Sequence, residues 1–227
     1  GGKVIVYKNV KADSISHECE QSLRRLGTDV IDLYQVHWPS TSAPAEETMD
    51  ALERLRQQGK IRAIGLSNYD TAELAEAVAL APIVSNQIKY NLLQRSIEAD
   101  PLPFCRERNI GVICYSPMAM GLLTGKVTMK REFPPTDVRS TAKLFQPAVR
   151  QQVLEALEKV RPIAEAHTAS LAQLSVAWVL AQPSVTTALV GARNARQVSE
   201  NAAAAMVKLS PQEVQQIRQA FEGIAST

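Results

Sequence analysis

Polar side chains that could take part in chemistry follow the apolar segments of this 227-residue chain. His37 ends the run Val30–His37, whose β-branched and alternating apolar residues predict a strand that stops at Trp38 and Pro39. In parallel α/β sheets and barrels, ligands bind at the carboxyl ends of the strands. The carboxyl end of a predicted strand, or the position just after it, is also taken by Ser67-Asn68, Gln87, Tyr115-Ser116 and Gly191. An imidazole beside hydroxyl and amide groups combines proton donors and acceptors at one rim, so the pattern predicts an enzyme.

The elements that must position these groups alternate along the chain. Short apolar runs are followed by amphipathic segments of about 10–15 residues, which is typical of βα units and a parallel sheet. The predicted strands are Lys3–Tyr7, Val30–His37, Ile61–Leu66, Ile83–Ile88, Gly111–Tyr115 and Thr186–Val190. The predicted helices are Ser14–Leu26, Glu46–Gln57, Thr71–Leu80, Glu98–Arg108, Ala148–His167, Leu171–Gln182, Ala195–Met206 and Pro211–Phe221. We expect a single α/β domain, residues 1–227, with six strands.

Composition excludes several classes of protein. The chain is 45% hydrophobic and 21% charged with a net charge of +2, so we expect no nucleic-acid partner. No apolar run approaches the roughly 20 residues of a membrane helix, and we expect neither a membrane partner nor a signal peptide. The three cysteines lack metal-ligand spacing. They predict buried free thiols in a reducing compartment rather than a catalytic or metal site, and therefore a cytoplasmic protein.

A series of motifs suggests a family. The motifs are, in order, Ser22–Asp29, Asp32–Pro39, Gly59–Tyr69, Tyr90–Leu93, Tyr115–Lys126 and Val190–Arg193 with Gln197, Glu200 and Asn201. Together they resemble the aldo-keto reductases, and most closely the bacterial branch that includes aldehyde reductases and relatives of the potassium-channel β subunit. The resemblance implies a TIM-type (β/α)8 barrel, NADP(H) as the coenzyme, and a small aldehyde or ketone as the substrate.

The same resemblance assigns two catalytic residues. His37 matches the histidine that lies beside the substrate carbonyl and polarises it; the alternative is a histidine that only caps its strand. Lys8, at the end of the predicted strand Lys3–Tyr7, matches the lysine that lowers the pKa of the family's tyrosine acid; the alternative is a surface lysine.

The coenzyme residues are assigned in the same way. Ser67, Asn68 and Gln87 match the groups that bind the nicotinamide carboxamide, and Tyr115 matches the aromatic residue on which the nicotinamide stacks. The loop Ser116–Lys126 resembles the pyrophosphate loop, with Ser116 at its start and Gly121 permitting close backbone approach. The match to the adenosine end consists of Gly191, Ala192, Arg193, Gln197, Glu200 and Asn201. Arg193 could bind the 2′-phosphate, but many members have Lys-Ser in place of Gly191-Ala192, which leaves NADP versus NAD open.

The resemblance fails at the amino-terminal end. The family's catalytic Asp and Tyr have no counterpart, because the match begins at the third βα unit and the first two are absent. Tyr7, next to Lys8, points to the opposite face of its predicted strand, and Tyr34 lies inside its predicted strand rather than at its mouth. The incomplete barrel would expose two strand edges, which invite pairing with another chain. We expect a self-associating homo-oligomer, an open barrel with a rearranged amino terminus, or a fragment of a longer product.

Three functions are compatible with these features. The first is an NADPH-dependent oxidoreductase that reduces small aldehydes or ketones. The second is a catalytically impaired NADP(H)-binding protein that lacks the family's Asp and Tyr. The third is a scaffold that binds no ligand.

Overall fold

The computed structural model describes residues 8–224. Its strands are β1 (Ile31–Val36), β2 (Ile61–Ser67), β3 (Ile83–Lys89), β4 (Gly111–Tyr115) and β5 (Val185–Leu189), which form one sheet in chain order. The β1–β2 and β2–β3 pairs are parallel. These are five of the six predicted strands, and the sixth, Lys3–Tyr7, lies outside the described residues.

Eight α-helices are described between residues 8 and 224. They are α1 (Ala12–Leu26), α2 (Ala45–Gln57), α3 (Thr71–Leu80), α4 (Leu102–Glu107), α5 (Pro147–Ala166), α6 (Leu171–Leu180), α7 (Ala195–Ala203) and α8 (Pro211–Ala220). None of them combines the length and the apolarity needed to cross a bilayer.

One helix was predicted wrongly. In place of a single helix over 98–108, the structure has a 3-10 turn, Ser96–Glu98, and the short helix α4. Pro101 is the residue before α4, and its ring fixes φ and removes the N–H that a continuous helix would need. The chain therefore restarts its helix after the proline.

The chain divides into two compact units. The first unit is Gly1–Ile88 with Glu98–Val112, and the second is Lys89–Ile97 with Ile113–Thr227. The prediction of a single domain over 1–227 stays a prediction.

In the first unit, helices bury one apolar face each. Helix α1 buries Ile15, Cys19 and Leu23, and α2 buries Met49, Leu52 and Leu55, at the spacing of one helical face. Helix α3 begins with a capping box in which Asp70 and Glu73 satisfy each other's backbone N–H groups. Helix α2 packs against α1, α3 and strand β2.

In the second unit, α6 is the central element. Seven of its ten residues are buried, and the indole Nε1 of its Trp178 donates to the Val214 carbonyl at 3.1 Å. The segment that follows β4 is not a simple connection, since it contains the 3-10 helices Ala119–Thr124, Val138–Ser140 and Lys143–Phe145. Arg150 of α5 donates to the carbonyls of Thr128, Arg131 and Phe145 and thereby holds this segment against the helix.

A glycine in β2 allows side chains of the neighbouring strands to approach each other. Gly65 pairs with Gln35 of β1 and with Ser85 of β3. A Cβ atom at Gly65 would lie 2.5 Å from Ser85 Oγ, 2.9 Å from Gln35 Cγ and 3.0 Å from Leu33 Cδ1. The close contact of these side chains across β2 therefore requires glycine at this position.

We predict that Gly65→Ala lowers the free energy of unfolding by about 1–3 kcal/mol, the usual cost of overpacking. Urea unfolding monitored by circular dichroism measures the change. Gly191→Ala is the control, because a Cβ atom there meets no atom within 4 Å. Equal unfolding midpoints for the two variants would contradict the packing described for β2.

Candidate functional site

The first unit gathers four of the predicted site residues at the ends of three adjacent strands. Ser67 ends β2 and Asn68 follows it, while Gln87 lies near the end of β3 and His37 directly follows β1. Parallel strands bring their carboxyl ends to one edge of the sheet, which is why residues distant in the sequence meet here.

Asn68 links two of these strands. Its Nδ2 donates to the His37 carbonyl and to Ser67 Oγ, both at 3.0 Å, and its backbone N–H donates to the Gln87 carbonyl at 2.9 Å. Its φ of +64° lies in the left-handed region, which asparagine tolerates better than most residues. Asparagine therefore suits position 68 for two reasons, namely the left-handed backbone conformation and the hydrogen bonds of its side chain.

Ser67 and Gln87 complete the array. Ser67 is 3% exposed, and its hydroxyl donates to the Gln87 carbonyl at 2.8 Å. The Nε2 of the half-buried Gln87 donates to Gln35 Oε1 at 3.1 Å. We call the group Gln35, Ser67, Asn68 and Gln87 the amide cluster. Its hydroxyl and amide groups match the donor and acceptor chemistry of a carboxamide, so this set fits the nicotinamide end of a coenzyme.

Sequence reasoning did not identify Gln35 as part of this site. The available signal was a single amide side chain within the apolar strand β1, two residues before His37 and therefore on the same face of the strand. Its partner on β3 depends on strand register, which the sequence alone does not specify.

His37 and Lys8 line one cavity of the first unit. Both are exposed, and the cavity, of about 350 Å³, is also lined by Tyr34, Gln35 and Trp38. Lys8 Nζ lies 4.4 Å from the centroid of the Trp38 ring, and the His37 ring lies 6.1 Å from it. The two predicted catalytic residues are thus brought to the same opening, each close to the Trp38 indole.

Burial raises the pKa of one tyrosine that lines this cavity and the pKa of thiols elsewhere in the chain. Burial, together with the charges of Cys19 and Glu18, raises the pKa of Tyr34 to about 12. Burial likewise raises the pKa of Cys105 to about 11 and that of Cys114 to about 12. All three cysteines are free and buried, so these thiols stay protonated and are poor nucleophiles.

The described part of the chain offers no set of side chains that could bind a metal ion. Among residues 8–224, no group of three or more His, Cys, Asp or Glu side chains is placed to hold a metal ion.

The second unit contains the other predicted residues, in two groups. Tyr115 ends β4, where burial raises the pKa of its phenol and Lys89 Nζ lies 5.8 Å from its ring centroid. Ser116 follows with φ +56°, and Asn91 Nδ2 donates to its carbonyl at 3.0 Å. Ala119 and Met120 also have positive φ, which is an uncommon conformation for residues other than glycine.

Gly121 completes this strained turn. Its φ is +93°, and a Cβ atom built on it would meet no heavy atom within 4 Å. The backbone is therefore open to a group that approaches from outside, as a phosphate-binding loop requires.

The second group surrounds the start of α7. Asn194 caps the helix by accepting from the Gln197 backbone N–H at 2.9 Å. Gln197 Oε1 accepts from the Arg193 backbone N–H at 2.7 Å, and Asn201 Nδ2 donates to the Gly191 carbonyl at 3.3 Å. The side chains of Gln197 and Asn201 thus hold the loop that carries Gly191, Ala192 and Arg193.

The remaining predicted residues of this group are exposed. Glu200 pairs with Arg196 at 2.7 Å, while its carbonyl accepts from Gln173 Nε2. In residues 8–224, no hydrogen bond or ion pair engages the guanidinium of Arg193. A helix start beside an unengaged arginine is suited to an anion such as a phosphate.

Comparison with known proteins places the chain in a family. The model of the "Aldo/keto reductase family" matches residues 3–222. The chain is 36% identical to the NADH-specific methylglyoxal reductase of Escherichia coli strain K12, over 96% of this chain and 68% of that protein. It is 38% identical to the aldo-keto reductase YhdN of Bacillus subtilis strain 168, over 85% of this chain and 59% of that protein.

Two further proteins extend the comparison. The chain is 37% identical to the aldo-keto reductase yakc [NADP(+)] of Schizosaccharomyces pombe, over 94% of this chain and 64% of that protein. The structure of the glycerol dehydrogenase AKR11B4 from Gluconobacter oxydans superposes with a TM-score of 0.92 at 35% identity, over 97% of this chain and 68% of that one.

The chain thus spans between 59% and 68% of the length of these four proteins. The likeness confirms the predicted α/β fold of TIM-barrel type. The matched family model and the shared identity show that the chain belongs to the aldo/keto reductase family of oxidoreductases.

Proposed function

We propose that this protein takes part in NADP(H)-dependent reduction of small aldehydes or ketones. The observation that carries the proposal is the hydrogen-bonded amide cluster beside a cavity lined by His37 and Lys8. A bound reduced nicotinamide would supply a hydride to the carbonyl carbon.

The residues of the first unit would hold the reactants and assist the proton step. Ser67, Asn68 and Gln87 would bind the coenzyme carboxamide. The His37 imidazole would donate a hydrogen bond to the substrate carbonyl oxygen and polarise it, since imidazole is the side chain that exchanges protons most readily near neutral pH. Lys8 would add positive charge at the same opening.

The residues of the second unit would bind the remainder of the coenzyme. We assign Tyr115 to stacking, Ser116 and Gly121 to the pyrophosphate, and Arg193 to a 2′-phosphate. The relatives differ in the coenzyme that their names give, one being NADH-specific and another being named for NADP(+). The unengaged guanidinium of Arg193 favours NADP(H) here. The buried free thiols support our assignment to a reducing, cytoplasmic location.

A second candidate is binding of the coenzyme without turnover. It is favoured by the raised pKa values of three tyrosines among residues 8–224. Burial raises the pKa of Tyr34 and Tyr69 to about 12 and also raises that of Tyr115, and this direction opposes proton donation near neutral pH.

One experiment distinguishes the two candidates. Calorimetric titration with NADPH measures binding, and NADPH oxidation with a panel of short aldehydes, methylglyoxal included, measures turnover. We predict that His37→Ala lowers turnover by about 100-fold or more while the Kd for NADPH changes by less than about twofold, because a general acid–base group acts on the substrate oxygen. His17→Ala, on an exposed part of α1, is the matched control.

Binding with no turnover in the unmodified protein would favour the second candidate. Absence of any heat from NADPH would contradict both candidates.

The 2′-phosphate assignment is tested separately. We predict that Arg193→Ala weakens binding of NADPH by about tenfold or more and leaves binding of NADH unchanged, because a hydrogen bond to a charged group contributes about 1.5–3 kcal/mol. Arg161→Ala, which removes an exposed arginine paired with Glu158, is the control. An equal loss of affinity for both coenzymes would argue against the assignment.

A further inference from the structure

Two groups of the amide cluster, the Ser67 hydroxyl and the Asn68 amide, use all three of their hydrogens inside the protein. The single hydroxyl hydrogen of Ser67 goes to the Gln87 carbonyl, and the two Nδ2 hydrogens of Asn68 go to Ser67 Oγ and to the His37 carbonyl. A hydroxyl has one hydrogen to donate and a side-chain amide has two. The Ser67 hydroxyl and the Asn68 amide therefore have no hydrogen left to donate to a ligand.

Gln35 fixes the orientation of the remaining amide. Its Nε2 donates to the Leu66 carbonyl at 3.3 Å, and a carbonyl can only accept. The Oε1 of Gln35 must therefore face the other way, where it accepts from Gln87 Nε2 at 3.1 Å. The Leu66 carbonyl of β2 thus fixes the orientation of the Gln35 amide. The Gln35 amide in turn holds the Gln87 amide with its Nε2 towards Gln35.

The side chain of Gln35 packs closely against β2. Gly65 lies opposite Gln35 in the sheet, and the space that a Cβ atom would take is filled by Gln35 Cγ and Ser85 Oγ. Both Gln35 and Gln87 are half-buried, so water does not replace their mutual hydrogen bond without cost.

The outward end of Gln87 is an acceptor. Its Oε1 accepts no hydrogen bond from residues 8–224, whereas its Nε2 is engaged by Gln35. We infer that Gln35 is a positioning residue that makes the coenzyme site selective for a carboxamide NH2, by holding the Gln87 amide with its oxygen towards the ligand. This inference rests on the proposed coenzyme binding.

Two substitutions of Gln35 test the inference, one by a hydrogen-bond acceptor and one by a hydrogen-bond donor. Gln35→Glu keeps an acceptor towards Gln87 Nε2, so the orientation of the Gln87 amide is retained. Gln35→Lys supplies only donors, which favours the reversed amide with its NH2 towards the ligand. The probes are NADP⁺ and its 3-acetylpyridine analogue, in which a methyl group replaces the carboxamide NH2. They carry the same charge, so the ratio of their Kd values is insensitive to the charge introduced at position 35.

We predict that the unmodified protein and Gln35→Glu bind NADP⁺ about five- to tenfold more tightly than the analogue, the effect of one hydrogen bond. In Gln35→Lys the ratio falls to about one. Gln182→Lys is the control and keeps the ratio, because the Gln182 amide donates to the Trp178 carbonyl of α6 and lies in the second unit. Circular dichroism confirms that each variant is folded. If Gln35→Lys is not folded, Gln35→Met replaces it, because methionine offers Gln87 Nε2 no oxygen acceptor and the ratio of the Kd values again falls towards one.

The outcomes separate this inference from the proposed function. The role of Gln35 is overturned if the ratio of the two Kd values is the same in the unmodified protein and in both variants. It is also overturned if the ratio falls equally in Gln35→Glu and Gln35→Lys. Either result leaves coenzyme binding intact. Failure of the unmodified protein to bind either probe contradicts the proposed function itself.

Discussion

Side-chain hydrogen bonds across the carboxyl ends of three parallel strands are the constraint on which the site of the first unit depends. A parallel strand ends with backbone carbonyls that must find donors, and Asn68 and Ser67 supply them to the carbonyls of His37 and Gln87. The same bonds hold the two side chains in place. Satisfying the backbone and fixing these side chains are therefore one requirement, because each hydrogen that closes a strand end also sets the orientation of the side chain that donates it.

The ordinary residues of the scaffold support this arrangement. Gly65 leaves space for Gln35, and the left-handed conformation of Asn68 turns the chain out of β2 immediately after Ser67. In the second unit the same principle operates at α7, where the amides of Gln197 and Asn201 hold the backbone of the preceding loop. In both units, amide side chains position the groups that would meet the ligand.

Much of this architecture was predictable from the sequence. Alternation of apolar runs and amphipathic segments identified β1 to β5, and the end-of-strand positions identified His37 and Asn68. Chemistry at the strand ends is visible in a sequence because the position follows directly from the end of the apolar run. The shared motifs then added the family, which the comparisons confirm.

The rest depends on register and packing. Gln35 lies inside β1, and its contact with Gln87, 52 residues away, exists only because β1, β2 and β3 align as they do. Gln197 and Asn201 were predicted as contacts to a coenzyme, and the structure shows their amides holding backbone groups. Pro101 divided the predicted helix over 98–108, a local effect that helical periodicity does not reveal.

The most direct measurement of the central claim is hydrogen exchange of side-chain amides by NMR. If the strand ends are closed by the amide cluster, the Nδ2 protons of Asn68 and the Nε2 protons of Gln35 and Gln87 exchange more slowly than those of Gln212, an exposed residue of α8. Exchange of all four side chains at the same rate would show that these hydrogen bonds do not persist in solution, and the account of the site would be wrong.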